Sequence, residues 1–79
     1  MPTELDEPIV VGAVFSRGKV KPVWFTWNGR EVRIREVAFS WKTREGSANL
    51  LHFSVADGRG LYEIVYNLET TGWRILNSE

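Results

Sequence analysis

The sequence predicts an all-β domain, and three observations carry that prediction. Asn28-Gly29 and Asp57-Gly58-Arg59-Gly60 each lie between apolar-patterned runs, the signature of hairpin turns. The runs beside them alternate apolar and polar residues with period two, as a half-buried strand does. No segment longer than about eight residues combines a cap with the three-and-four apolar spacing of a helix. Turn signals at close intervals then predict an antiparallel meander of about six strands, coiled into a small SH3-like or partly open barrel. A flat sheet could not by itself hide Val23, Phe25, Phe39, Phe53 and Ile64 from water. The sheet must coil, or a second copy must cover it.

Residues 1–8 (MPTELDEP) are expected to form a mobile acidic tail, with 9–79 as the single β domain. Ile9 to Phe15 reads as the first strand, in which Gly12 marks a bulge or a close approach by a neighbour. Ser16-Arg17-Gly18-Lys19 is a tight turn. Pro22 has no N–H to donate, so pairing with the first strand should be interrupted there.

Lys21 to Trp41 holds three of the four tryptophans and is the organising hairpin. A type I′ turn at Asn28-Gly29 sets Trp27 opposite Arg30, Phe25 opposite Val32 and Val23 opposite Ile34. The other face then carries Thr26 with Glu31, Trp24 with Arg33, and Pro22 with Arg35. Apolar residues switch from even positions (Val32, Ile34) to odd ones (Val37, Phe39, Trp41), which calls for a bulge near Arg35-Glu36. On that reading Val37, Phe39 and Trp41 return to the buried face, and Trp27, Trp41 and Trp73 are core or rim.

Thr43 to Asn49 is expected to be the longest internal loop. In the second hairpin a two-residue loop at Gly58-Arg59 pairs Val55 with Tyr62, Phe53 with Ile64 and Leu51 with Tyr66. A turn from Glu69 to Gly72 leads to a last strand, Trp73 to Leu76.

A chain of 79 residues buries only about 60–65% of its unfolded surface, so each large aromatic matters. There is no cysteine, hence no disulfide and no thiolate chemistry, which fits a reducing cytoplasm. No apolar run reaches the roughly 18 residues of a membrane helix, and the N-terminus is not patterned as a signal peptide. The net charge is zero but unevenly spread: between Ser16 and Arg44 eight cations face two carboxylates, with acidic flanks on both sides. Such a distribution can present a local positive patch.

Catalytic patterns are sparse. His52 is the only histidine and points away from the Leu51-Phe53-Val55 face, with no serine beside it in sequence. Glu63 faces solvent across from Ser54, and neither it nor Glu69 has a partner for paired-carboxylate chemistry. Gly58-Arg59-Gly60 lacks the helix and lysine of a phosphate loop and is explained by its turn. The domain is therefore read as non-catalytic, without metal or cofactor.

The outward face of the first hairpin makes chemical sense as a binding surface. Trp24 lies cross-strand from Arg33, with Arg35 and Lys21 near, an aromatic plate among cations of the kind that stacks bases and tracks phosphates. Lys42 and Arg44 are further candidate phosphate partners. Trp24 packed against Arg33 by cation–π contact, recognising nothing, is the plainer alternative.

The run PVWFTWNGREVRIREV with a closing Trp41, followed by His52-Phe53, Leu61-Tyr62-Glu63 and Trp73, resembles a family of small all-β bacterial domains of unknown function. Members of that family stand alone or are appended to translesion (Y-class) DNA polymerase-like proteins. The likeness covers roughly residues 15–76, with Val32 where the family would place an aromatic. It implies the fold and an association with DNA repair, and it brings no catalytic residues. Two readings follow. One is a DNA-repair-associated module whose Trp24, Arg33, Arg35, Lys21, Lys42 and Arg44 contact single-stranded nucleic acid or a repair protein. The alternative is a protein-interaction or homodimerising module using an exposed edge strand.

Overall fold

The computed structural model describes residues 3–79. These form seven strands and no helix, so no helix among them is long and apolar enough to cross a membrane. The strands are β1 (Thr3–Ser16), β2 (Lys19–Trp27), β3 (Arg30–Arg33), β4 (Glu36–Glu45), β5 (Ala48–Ala56), β6 (Leu61–Asn67) and β7 (Trp73–Ser78). All pair antiparallel in one curled sheet of order β3-β2-β1-β7-β6-β5-β4, an open half-barrel.

Two segments each serve both walls of the barrel. β1 pairs with β7 through Thr3–Ile9 and with β2 through Val10–Ser16. The second is the run from Arg30 to Glu45, expected as one strand. It splits into β3 and β4 at Ile34-Arg35, which is why seven strands form instead of six. There the Ile34 N–H donates to Val23 O at 3.0 Å and the next N–H, of Arg35, donates to Ala56 O at 2.8 Å. Alternate residues of a strand direct their backbone groups to opposite sides, so one continuous chain can pair with β2 first and β5 next.

The core fills the space between the walls. Phe25 and Val32 come from one side; Phe53, Val55, Tyr62, Ile64, Tyr66 and Ile75 come from the other. Phe25, Val55, Ile64 and Ile75 are completely buried, each worth about 1.5–3 kcal/mol against exposure. Phe25 meets Tyr62 edge-on at 5.4 Å between centroids.

Both turn-set registers agree with the sequence reading. Trp24↔Arg33 to Trp27↔Arg30 holds in the first hairpin, and Leu51↔Tyr66, Phe53↔Ile64 and Val55↔Tyr62 in the second. The β1–β2 ladder shifts register between Gly12 and Ala13, where the partner changes from Trp24 to Pro22. Gly12 is also a close approach: a Cβ there would collide with the Trp24 indole.

Three expectations are corrected. The segment from Thr3 to Pro8, expected in a mobile tail, is strand; residues 1 and 2 lie outside the described residues. β7 needs a neighbour on that side, Leu5 packs on the core, and the Arg74 guanidinium donates to both the side chain and the backbone oxygen of Asp6. Thr43 to Asn49 is no long loop. Gly46 has φ +60° and allows a turn of two residues, so Arg44↔Asn49 and Glu45↔Ala48 continue the ladder.

The third concerns the bulge, which lies between Val37 and Phe39 and not at Arg35-Glu36. Val37 still packs on the core, but every later residue is flipped. Phe39 is 70% exposed and Trp41 40%, on the outer face. Trp27 and Trp73 do pack against the core.

The β5–β6 turn is held by Asp57. Its Oδ1 accepts the N–H groups of Arg59 and Gly60 at 2.8 and 2.9 Å, and its Oδ2 accepts the Tyr62 hydroxyl at 3.1 Å. The Arg59 N–H is the main reason the Asp57 carboxyl titrates below the usual carboxylate value of 3.8. Burial, then the bond to Asp57, pushes the Tyr62 phenol up.

Gly12→Ala should cost about 1–3 kcal/mol in denaturant unfolding and shift tryptophan emission to the red as Trp24 is pushed out. An unchanged midpoint and spectrum would mean that Trp24 does not rest on Gly12. Asp57→Ala should cost about 1 kcal/mol at neutral pH, a modest figure because the carboxylate is largely solvated. A carboxyl with a lowered folded pKa contributes fully above its unfolded value and loses that contribution as pH falls through the folded one. The gap between wild type and Asp57→Ala should therefore close below pH 3.8, and a gap that persists would assign the effect to packing.

Candidate functional site

The residues expected to form one site are dispersed by the fold. Trp24 is half-buried, its indole lying across Gly12 on the outer face of the β1–β2–β3 wall. Arg33 is its cross-strand neighbour, with 76% of its side chain exposed, and it forms an ion pair with Glu31 at 3.1 Å. Arg35 is not beside Trp24. Its guanidinium lies against Gly58 in the β5–β6 turn, because the chain has passed to the other wall at that residue. Lys21 is exposed opposite Val14.

Lys42 and Arg44 sit on β4, at the far end of the strand order from β3. After the bulge they alternate with Trp41 and Thr43, so cations and aromatics occupy opposite faces of that strand.

What the fold does assemble lies on β4 and its surroundings. β4 has β5 on one side and no strand on the other. Nine of its ten residues are exposed, Val37 being the exception. Beside it, toward the start of β2, is an open groove of about 750 Å³. Val20, Leu51, Phe53 and Leu68 give it an apolar lining, Lys19 and Lys42 border it from its two sides, and no Asp or Glu lines it. Such a volume is within the range of ligand sites in general.

The outer face of the same wall carries a polar cluster. The His52 ring is stacked under the Trp41 indole at 5.2 Å between centroids and 12° between planes, and His52 is only 8% exposed. Its Nε2 is 2.7 Å from Thr43 Oγ1, and its Nδ1 is 3.3 Å from Glu63 Oε2. Asn77 Nδ2 donates to Glu63 Oε1 at 3.0 Å. An ionised Glu63 only accepts, so Nδ1 carries the proton in the neutral ring and Thr43 donates to Nε2.

That order of hydroxyl, imidazole and carboxylate is the one used for acyl transfer. Here both ring nitrogens are taken and one ring face is covered, so the cluster fastens β4, β5, β6 and β7 together across their outer surface. Sequence missed it because Thr43 was assigned to a loop and Trp41 to the core. The displaced bulge is what brings both to His52. Among the described residues no group of three or more metal-ligating side chains exists.

Glu63→Ala strands the His52 Nδ1–H and the Asn77 amide in a mostly covered site, so about 1–3 kcal/mol of unfolding free energy should be lost. Thr43→Val should cost less, since Thr43 is exposed and water can replace its hydroxyl at Nε2. Equal costs in a denaturant titration would contradict this picture of the cluster. Comparison of the chain with protein-family models, with curated proteins and with solved structures returned no match.

Proposed function

We propose that the protein is a binding module that captures an extended peptide segment along β4, in the groove between that strand and the start of β2. The observation that carries this reading is an unpaired strand edge bordering an apolar hollow. The free N–H and C=O groups of an edge strand are a template for an added strand. Main-chain hydrogen bonds then supply affinity, while pockets for alternate side chains supply selectivity. Phe39 and Trp41, exposed on the outer face of β4, would be covered in part by the incoming chain.

A second reading keeps the first hairpin as a contact for single-stranded nucleic acid. It is supported by the partial exposure of Trp24 beside the extended Arg33 side chain. That face offers Lys21 as a further cation, without Arg35, Lys42 or Arg44.

Panning random linear peptides on the protein should yield sequences of alternating pattern that protect β4 amides from hydrogen exchange. Backbone N-methylation at every second residue should abolish their binding on one phase and spare it on the other. Peptides that bind without protecting β4 would discard the strand-capture reading. Salt-dependent binding of a labelled oligonucleotide that is lost in Trp24→Ala would favour the hairpin face instead.

A further inference from the structure

We infer that the segment captured by β4 is acidic, with aliphatic residues at alternate positions. This rests on the strand-capture reading and names the chemistry of its partner.

The argument begins with the composition of the groove. Its apolar residues, Val20, Leu51 and Phe53, can accept every second side chain of an extended peptide. The side chains between them point the other way. Lys19 borders the groove from the β2 side and Lys42 from the β4 side, with no carboxylate among the lining residues to neutralise either. Arg17, next to the groove in the β1–β2 turn, and Arg44, further along β4, are exposed and extend the same sign of charge. Among the described residues, the carboxylates engaged in ion pairs hold Arg33, His52 and Arg74, not these four cations.

A chain whose net charge is zero thus concentrates unneutralised positive charge on both sides of one apolar cleft. Clefts of one sign focus the field and draw in the opposite charge. A basic segment would meet like charge on both sides, which discriminates against it as strongly as an acidic one is favoured.

A single nucleic-acid strand is also anionic. Two features favour the peptide. The strand edge offers backbone donors and acceptors that a sugar-phosphate chain cannot match in a ladder. The exposed aromatics of β4, Phe39 and Trp41, alternate with Lys42 and so lie on the opposite face from the cation that borders the groove. Stacking of bases with simultaneous phosphate contact needs both on one face.

The test uses the full chain and three fluorescein-labelled probes: a decapeptide alternating Glu and Val, one alternating Lys and Val, and a decathymidylate. The Glu-Val peptide should bind at least about tenfold tighter than the Lys-Val one at low salt, and the preference should shrink as salt rises. Lys19→Glu and Lys42→Glu should each weaken it about tenfold. Both residues are exposed, so circular dichroism should show the fold unchanged, and Lys42→Arg should restore binding.

Equal binding of the two peptides, each protecting β4, would overturn the charge assignment and leave strand capture standing. Failure of both peptides removes both readings. Tighter binding of the oligonucleotide overturns the peptide assignment. So does a dimer in light scattering that buries β4 and excludes the probes.

Discussion

The handover of backbone hydrogen bonds at Ile34-Arg35 is the constraint from which the rest of the architecture follows. Two consecutive N–H groups are committed to different strands, Ile34 to Val23 on one wall and Arg35 to Ala56 on the other. Buried backbone groups must find partners, so this one step ties the two walls together at a corner. The opposite corner is β1, which changes partner from β7 to β2 between Ile9 and Val10. With both corners held, Phe25 and Val32 are pressed against Ile64, Ile75 and their neighbours, and a chain of this size can enclose a core.

The same constraint explains why the barrel stays open. Beyond the handover β2 and β4 would have to run side by side to close it. Each instead carries an irregularity just past that point: the β1–β2 register shift at Gly12/Ala13, opposite Pro22, and the β4 shift between Val37 and Phe39. Bulges increase local twist and bend the strand that carries them. β2 and β4 therefore diverge, and the groove is the space they leave. Opening the wall costs burial, but it leaves an edge that a second chain can complete.

Much of this was legible from residue order, and the limits have physical causes. Asn28-Gly29 and Gly58-Arg59 each dictate a two-residue loop, and a loop of known length fixes register for the whole hairpin. Gly12 and Pro22 announce their irregularity by chemistry alone, one lacking a Cβ and the other an N–H. The bulge in β4 has no such mark. A change of apolar parity shows that a residue is inserted without showing where, and Ala38 satisfies the ladder as well as Arg35 or Glu36 does. Three positions of error reversed the faces of Phe39 and Trp41 and hid the His52 cluster.

The N-terminal strand escaped for a different reason: Glu4, Asp6 and Glu7 look like a solvated tail until β7 is known to lack a neighbour. The site expected around Trp24 failed on distance rather than type. Arg35 was placed by extending one hairpin past the residue at which the chain leaves it.

An unpaired strand of ten residues is a hazard for any soluble protein, because edges recruit one another without discrimination. The β4 edge carries features that limit this. The bulge at its start breaks the flat geometry that indiscriminate pairing needs, and Lys42 and Arg44 repel a like-charged strand. These devices do not exclude every strand. They exclude flat, neutral or basic ones, and they leave room for a segment that brings the opposite charge. The fastening of β4 to its own sheet points the same way. Trp41 over His52, with Thr43 and Glu63 on the two ring nitrogens, holds the outer face of the strand rigid while its edge stays free. A template held in shape before its partner arrives loses less entropy on binding. The cluster beside the groove is thus best understood as the support of the edge, and the edge as the part of the molecule that meets something else.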